Sequence, residues 1–235
     1  MTGTFIAYDL ETTGIRPTMD RILEIGAVHV VDFQIRERFQ TFVNPKRNIP
    51  EKITTLTGIT EEMVQDAPEI EEVLEQFMDF CQEDVILGHN LIFDYSFIKV
   101  QAAEQKLPFE KKGLDTLKMA RALYPELEKK SLEYLCEYFQ IQTEHHHRAI
   151  DDALAAAELY FIFCREHPGA VEAMFPPVEM NYHVKKQSPI TEKQLKYLSD
   201  LVRKHQIPLD VELASLRKSE ASRMIDQILS TYGRI

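Results

Sequence analysis

The chain has 235 residues, 44% of them hydrophobic and 28% charged, with only 8 Gly and 11 Pro, which excludes collagen-like, low-complexity and wholly disordered proteins. Its 27 basic and 38 acidic residues divide unevenly: residues 183–235 carry 10 basic and 6 acidic, leaving 17 and 32 for residues 1–182. A body at −15 repels polyphosphate, so any nucleic-acid site on it must be small and metal-dependent, whereas the tail stands at +4.

In chain order, Thr4–Leu10 alternates as a first strand and runs into a Thr-Thr-Gly turn. Ile22–Val31 and Ile35–Val43 form a long hairpin closed by Asn44-Pro45. Thr60–Gln65 is a short helix, and Ile70–Cys81 a longer one with Ile70, Val73, Leu74, Phe77 and Phe80 at helical spacing. A short buried strand at Asp84–Leu87 precedes a helix from Asp94 to Gln105, and Leu114–Thr116 supplies a fifth strand. Helices follow at Leu117–Leu123, Leu132–Phe139 and Ile150–Glu166. Strands first, then strands alternating with helices, predict an α/β domain over 1–166 with a mixed five-stranded sheet. Between His167 and Pro189 periodicity fails and prolines accumulate, so 167–190 is expected to be a linker.

Beyond it, Thr191 with Gln194 opens a helix through a capping box. A second helix starts at Ser219 and stops at Gly233. Residues 191–235 thus make a small helical module. No apolar run approaches the roughly 20 residues that span a bilayer, and the N-terminus has no signal-peptide pattern. Cys81, Cys136 and Cys164 are too far apart for a CxxC pair. The expectation is a cytoplasmic protein with buried free thiols and no membrane partner.

Chemistry concentrates in three segments. Asp9 and Glu11 lie two apart on a strand, so both carboxylates project from one face. Two carboxylates so close repel each other unless a cation sits between them. Asp94 follows a buried strand and starts a helix, where the helix dipole alone favours an acid. His145-His146-His147 precedes a helix opening with Asp151 and Asp152. Asp151 shares its helix face with Glu158 and Arg165, whereas Asp152 shares its face with Ala155, Ala156, Leu159 and Phe163. Asp152 is therefore the inward acid, and a buried carboxylate is costly unless paired or metal-bound. His145 and His146 are read as a solvated loop. Four carboxylates and one histidine match the needs of two-metal phosphoryl chemistry. Hard oxygen ligands hold two Mg²⁺ or Mn²⁺ ions, one activating water and the other stabilising the leaving oxygen, and a histidine serves as general base.

The stretch Tyr8–Gly14 (YDLETTG), followed by Arg21–Ala27 (RILEIGA), resembles the first exonuclease motif of the DnaQ-like family, DEDDh group. Ile53–Thr60, Gly88–Asp94 (GHNLIFD) and His147–Ala153 (HRAIDDA) resemble the later motifs in order, and the likeness spans residues 4–166. Within that family the sequence most resembles the epsilon proofreading subunit of bacterial DNA polymerase III and its stand-alone relatives. The resemblance implies a ribonuclease H-like fold and 3′→5′ release of nucleoside monophosphates. It implies Asp9, Glu11, Asp94 and Asp152 as metal ligands and His147 as general base. Thr12, Thr13 and Gly14 would lie beside the terminal nucleotide, Leu56 and Phe93 would contact or wedge the last bases, and Asn90 would contact the strand. A single-stranded 3′ end of DNA suits such stacking contacts. RNA is an alternative substrate, and a DNA polymerase a possible partner. A non-catalytic 3′-end-binding accessory is the reading from another class, against which all five catalytic positions are filled. The tail departs from the polymerase-binding tail of the epsilon subunit. Its Lys185, Lys186, Lys193, Lys196, Arg203 and Lys204 suggest an electrostatic grip on DNA, and its layout loosely resembles SAP-type helix-extended-helix modules.

Overall fold

Strand β1 (Phe5–Thr12) runs through the sheet between β2 (Ile22–Val31), to which it pairs antiparallel, and β4 (Ile86–Gly88), to which it pairs parallel. With β3 (Gln34–Phe42), β5 (Lys112–Asp115) and β6 (Val178–Glu179), the order is β3-β2-β1-β4-β5-β6. This computed structural model describes residues 2–143, 147–184, 188–209 and 212–233. The described chain divides into two units, Met1–Tyr182 and His183–Ile235.

In the first unit, helices α1 (Glu51–Thr57), α2 (Glu61–Val64), α3 (Ile70–Cys81), α4 (Ile92–Glu104), α5 (Thr116–Leu123), α6 (Leu132–Phe139), α7 (Ala149–Glu166) and α8 (Pro168–Met174) surround the sheet. The period of two along β1 splits its side chains between two cores. Phe5 and Ala7 join Leu159, Tyr160 and Phe163 of α7 on one face. Ile6, Tyr8 and Leu10 join Val73, Leu74 and Phe77 of α3 and Phe97 and Ile98 of α4 on the other. Burial on both faces removes alternation from β1 and leaves a nearly continuous apolar run broken by acids. Helix α7 is rich in buried alanines (Ala153, Ala155, Ala156, Ala157), which lets its backbone approach the sheet closely.

The sheet is mixed and flanked by helices as expected, with a sixth strand that the sequence did not signal. Strand β6 has two residues, pairing Glu179 with Lys112 and Val178 with Gly113, too few to carry a period. The expected linker 167–190 is corrected at the same place. Pro168 opens α8, where its missing N–H costs no hydrogen bond, and Val171 is buried, so the first unit extends to Tyr182 rather than ending at 166. Helix α1 was also not anticipated. It starts at Pro50 and ends at Gly58 in the left-handed region (φ 71°), buries only Thr57, and contains three threonines, which are poor helix formers. The three cysteines are free and buried, and burial pushes the Cys81 thiol up to about 12.

The second unit consists of α9 (Glu192–His205), a 3₁₀ turn (Leu213–Ser215) and α10 (Lys218–Tyr232). Leu198 and Leu201 of α9 pack with Leu216, Ala221 and Ile228. The capping box forms as the sequence predicts: the Gln194 N–H donates to Thr191 Oγ1 (3.2 Å) and the Thr191 N–H to Gln194 Oε1 (3.2 Å). Gln194 Nε2 also donates to the Lys218 carbonyl (3.0 Å), so the same residue ties the two helices together. Among the described residues no helix is long and apolar enough to cross a membrane.

Candidate active site

Asp9 and Glu11 occupy the carboxyl end of β1, on the face shared with Phe5 and Ala7 that α7 covers. This end is where parallel strands present ligands at a change of chain direction: β1 continues into a hairpin with β2 on one side and abuts β4 on the other. Asp94 comes from the first turn of α4 and is almost fully buried, at 2% exposure. Its Oδ1 accepts the backbone N–H of Leu10 (3.1 Å), the residue between the two β1 acids.

The fourth acid and the histidine arrive with α7. His147 adopts a left-handed backbone (φ 63°), and Arg148 is extended (φ −120°, ψ 124°) as the N-cap. The N–H groups of Asp151 and Asp152 then donate to the Arg148 carbonyl (2.9 and 3.0 Å), closing the first turn. One ligating atom each from Glu11, His147 and Asp152 lies within 4.8 Å of the others, the one such group among the described residues. Asp152 is the α7 acid in this group, and Asp151 and Asp152 are both half-buried. His145 and His146 lie outside the described residues, as do Lys185 and Lys186 of the tail.

The site is electrostatically loaded. Burial, then the charges of Asp94, Asp152 and Glu11, hold the Asp9 carboxyl well above the usual carboxylate range. Burial and the Asp152, Glu24 and Asp94 charges push Glu11 up to about 8, with Arg148 acting in the opposite direction. Burial likewise raises Asp94, against the lowering effect of the Leu10 amide. A cluster of hard oxygen donors whose carboxyl groups are all pushed upward by burial and by one another's charge is one that a divalent cation relieves. Asp9, Glu11, Asp94 and Asp152 fit such ions by donor chemistry, and the imidazole of His147 stands beside them.

A frame on β2 and β3 fixes where α7 begins. Glu24, fully buried and directly opposite Glu11 in register, receives Arg148 Nε (3.0 Å) and NH2 (2.8 Å), the Ala149 N–H (3.3 Å) and Gln40 Nε2 (2.9 Å). The Arg148 guanidinium lies 5.1 Å from the Phe42 ring centre. Gly26, opposite Asp9, meets the α7 backbone directly: a Cβ there would sit 2.1 Å from Ile150 N. Sequence reasoning included Glu24, Gly26 and Arg148 in motifs but gave them no role. The available signal was Glu24 itself, an acid within the apolar run Ile22–Val31, which demands a buried partner.

The remaining expected residues are placed as follows. Thr12 and Thr13 are buried, and their hydroxyls serve the turn: Thr12 Oγ1 donates to the Gly14 carbonyl (2.6 Å) and Thr13 Oγ1 accepts the Arg21 N–H (2.9 Å). Gly14 faces Asp20, whose carboxylate would lie 2.6 Å from an added Cβ. Leu56 is 54% exposed on α1. Phe93 is half-buried, its ring 5.1 Å from that of Phe97. Asn90 is exposed in a left-handed conformation (φ 69°), its N–H donating to Asp115 Oδ1 (3.2 Å). His89 bonds the Thr116 hydroxyl (3.0 Å) and the Lys130 carbonyl (2.7 Å).

A family model described as an exonuclease, of RNase T type, matches residues 6–160. The PolC-type DNA polymerase III of Caldanaerobacter subterraneus is 48% identical over 158 residues, covering 67% of this chain and 11% of that protein. Its counterpart from Bacillus subtilis is 40% identical over 159 residues, covering 66% and 11%. The chain thus spans about a tenth of the length of the curated relatives it matches. Among solved structures, exonuclease X in complex with 5′-overhanging duplex DNA is 29% identical with a TM-score of 0.59, covering 72% of this chain and 96% of that one. E. coli exonuclease I in complex with a dT13 oligonucleotide has a TM-score of 0.67 at 19% identity, covering 73% and 43%, a likeness of fold alone. The architecture is the ribonuclease H-like one of these exonucleases.

Proposed function

The chain belongs to the exonuclease family that its residues 6–160 match, and from that membership we propose that it is a metal-dependent 3′→5′ exonuclease. It hydrolyses the last phosphodiester bond of a single-stranded DNA 3′ end and releases nucleoside monophosphates. The observation carrying this reading is the convergence of ligating atoms of Glu11, His147 and Asp152 within 4.8 Å, beside Asp9 and the Asp94 carboxylate fixed by Leu10.

Asp9, Glu11, Asp94 and Asp152 would hold two divalent ions, Mg²⁺ or Mn²⁺, which when bound would supply Lewis-acid activation of water and charge neutralisation at the leaving 3′-oxygen. His147 accepts the proton of the attacking water on a ring nitrogen. Leu56, Phe93 and Asn90 contact the terminal nucleotides, and the turn Thr12-Thr13-Gly14 borders the terminal sugar. The likeness to PolC-type polymerases supports a role in proofreading or repair beside a DNA polymerase, in the cytoplasm. The tail at +4 adds a weak electrostatic grip that the acidic body cannot supply.

The test is mononucleotide release from matched 3′-labelled single-stranded DNA and RNA with Mg²⁺, Mn²⁺ or EDTA, beside Asp152→Ala. DNA degraded only with metal, and a silent variant, are expected. A preference for RNA moves the assignment to RNA trimming, and inactivity on both substrates refutes the enzyme.

A further inference from the structure

Glu24 is an unusual residue for its position. Its neighbours Leu23 and Ile25 are fully buried apolar side chains, and Glu24 is equally buried. It also lies directly opposite Glu11, where a second negative charge is unfavourable. A residue serving only to pack the strand would be apolar. Glu24 instead gathers four donors, three of them from Arg148 and Ala149 at the start of α7.

We propose that Glu24 and Arg148 form a positioning pair that fixes the first turn of α7 and thereby sets His147 and Asp152 against Glu11. The inference rests on the exonuclease reading of this site. Arg148 is the residue through which both groups are placed. Its N-terminal neighbour is His147, whose left-handed backbone (φ 63°) is sparsely populated by L-residues and persists where the surroundings determine it. Its carbonyl accepts the N–H groups of Asp151 and Asp152. Its guanidinium is gripped at two nitrogens by Glu24 and rests over Phe42. A two-bond fork fixes orientation as well as distance, which a single ammonium contact does not. Glu24 also accepts the Ala149 N–H, one of the amides a helix start leaves unpaired, so one carboxylate holds both the side chain of the N-cap and the first helical amide.

The experiment uses the full chain and the variants Glu24→Gln, Arg148→Met, their combination and Arg148→Lys. Thermal melting confirms folding, and calorimetric titration with Mn²⁺ reports ion binding independently of turnover. Each single variant is expected to lower kcat roughly 10–100-fold, to weaken Mn²⁺ binding, and to leave KM for a single-stranded oligonucleotide within about twofold. The double variant is expected to be little worse than either single one, because the two side chains act as one unit. Arg148→Lys, which keeps the charge and loses the fork, should recover only part of kcat, and it carries the test if Glu24→Gln does not fold. Folded variants with wild-type kcat and Mn²⁺ affinity overturn the pair, even if they melt earlier. An inactive wild-type chain defeats the exonuclease reading and this inference together; an active wild type with unaffected variants defeats this inference alone.

Discussion

Replacing Gly26 with alanine should disable the site without touching any carboxylate. The added Cβ would lie 2.1 Å from Ile150 N, 2.2 Å from the Ala149 carbonyl carbon and 2.5 Å from Ile150 Cα, all backbone atoms of the first turn of α7. Ordinary contact begins at 3.4 Å, so this turn must retreat by about 1.3 Å, or β2 must bend by as much, because no flexible side chain can absorb the clash. The overpacking costs about 1–3 kcal/mol, and each kcal/mol lowers the melting midpoint by roughly 2–4 °C at this chain length. The catalytic effect is larger, since a displacement of about 1 Å between reacting groups costs on the order of 100-fold in rate. Single-turnover release of a 3′-labelled nucleotide, measured well below both melting midpoints with saturating metal, separates the two effects. Gly169→Ala is the control, because nothing lies within 4 Å of its added Cβ; it should leave the rate unchanged and alter stability by no more than about 1 kcal/mol. A Gly26→Ala enzyme with a wild-type single-turnover rate would refute the claim that close approach of α7 to β2 sets the site.

Three further outcomes are expected. Glu11 ionises near 4.5 in the unfolded chain and about 8 in the folded one, so the folded state holds its proton more tightly. The stability present below pH 4.5 is then lost as pH rises toward 8, by at most about 5 kcal/mol if Glu11 acted alone. Melting curves in EDTA should therefore slope downward over this interval and flatten with Mg²⁺ or Mn²⁺, and equal slopes in both conditions would count against a cation among these acids. Asp115 Oδ1 accepts the N–H groups of Leu117 (3.0 Å) and Lys118 (3.3 Å) at the start of α5, and that of Asn90 (3.2 Å), so Asp115→Ala should cost about 1–2 kcal/mol by chemical denaturation; an unchanged midpoint would contradict the cap. Deleting residues 183–235 should raise the apparent KM for DNA and flatten its dependence on salt, with no change at saturation. An unaltered KM across several salt concentrations would remove the tail from substrate binding.

The parts of this chain that were legible from sequence are those where one period dominates. The longer helices α3 and α7 and the strands β1 and β2 bury whole faces, and their hydrophobic spacing records it. The same logic singles out Asp152 over Asp151 in the sequence, and Asp152 is the one whose carboxylate groups with Glu11 and His147, although both aspartates are half-buried. Short elements left no such record: α1 buries one residue and β6 pairs two, and the prolines of 167–182 read as a break although Pro168 sits where a helix tolerates it.

The site was legible in its composition and not in its placement, for a physical reason. Carboxylates announce themselves by type and spacing, but the separation between Glu11 and Asp152 is set by two residues that carry no chemistry of their own toward a substrate. Gly26 allows the α7 backbone to come close by having no side chain, and Glu24 holds it there through Arg148. Close approach and anchoring act on the same turn from adjacent positions of one strand face, 24 and 26. Loss of either is expected to leave all four carboxylates and the histidine in the sequence while taking away the arrangement on which the proposed activity depends. The activity of the Gly26→Ala and Glu24→Gln variants, in which all five proposed catalytic residues are kept, measures how much of the proposed catalysis resides in that arrangement.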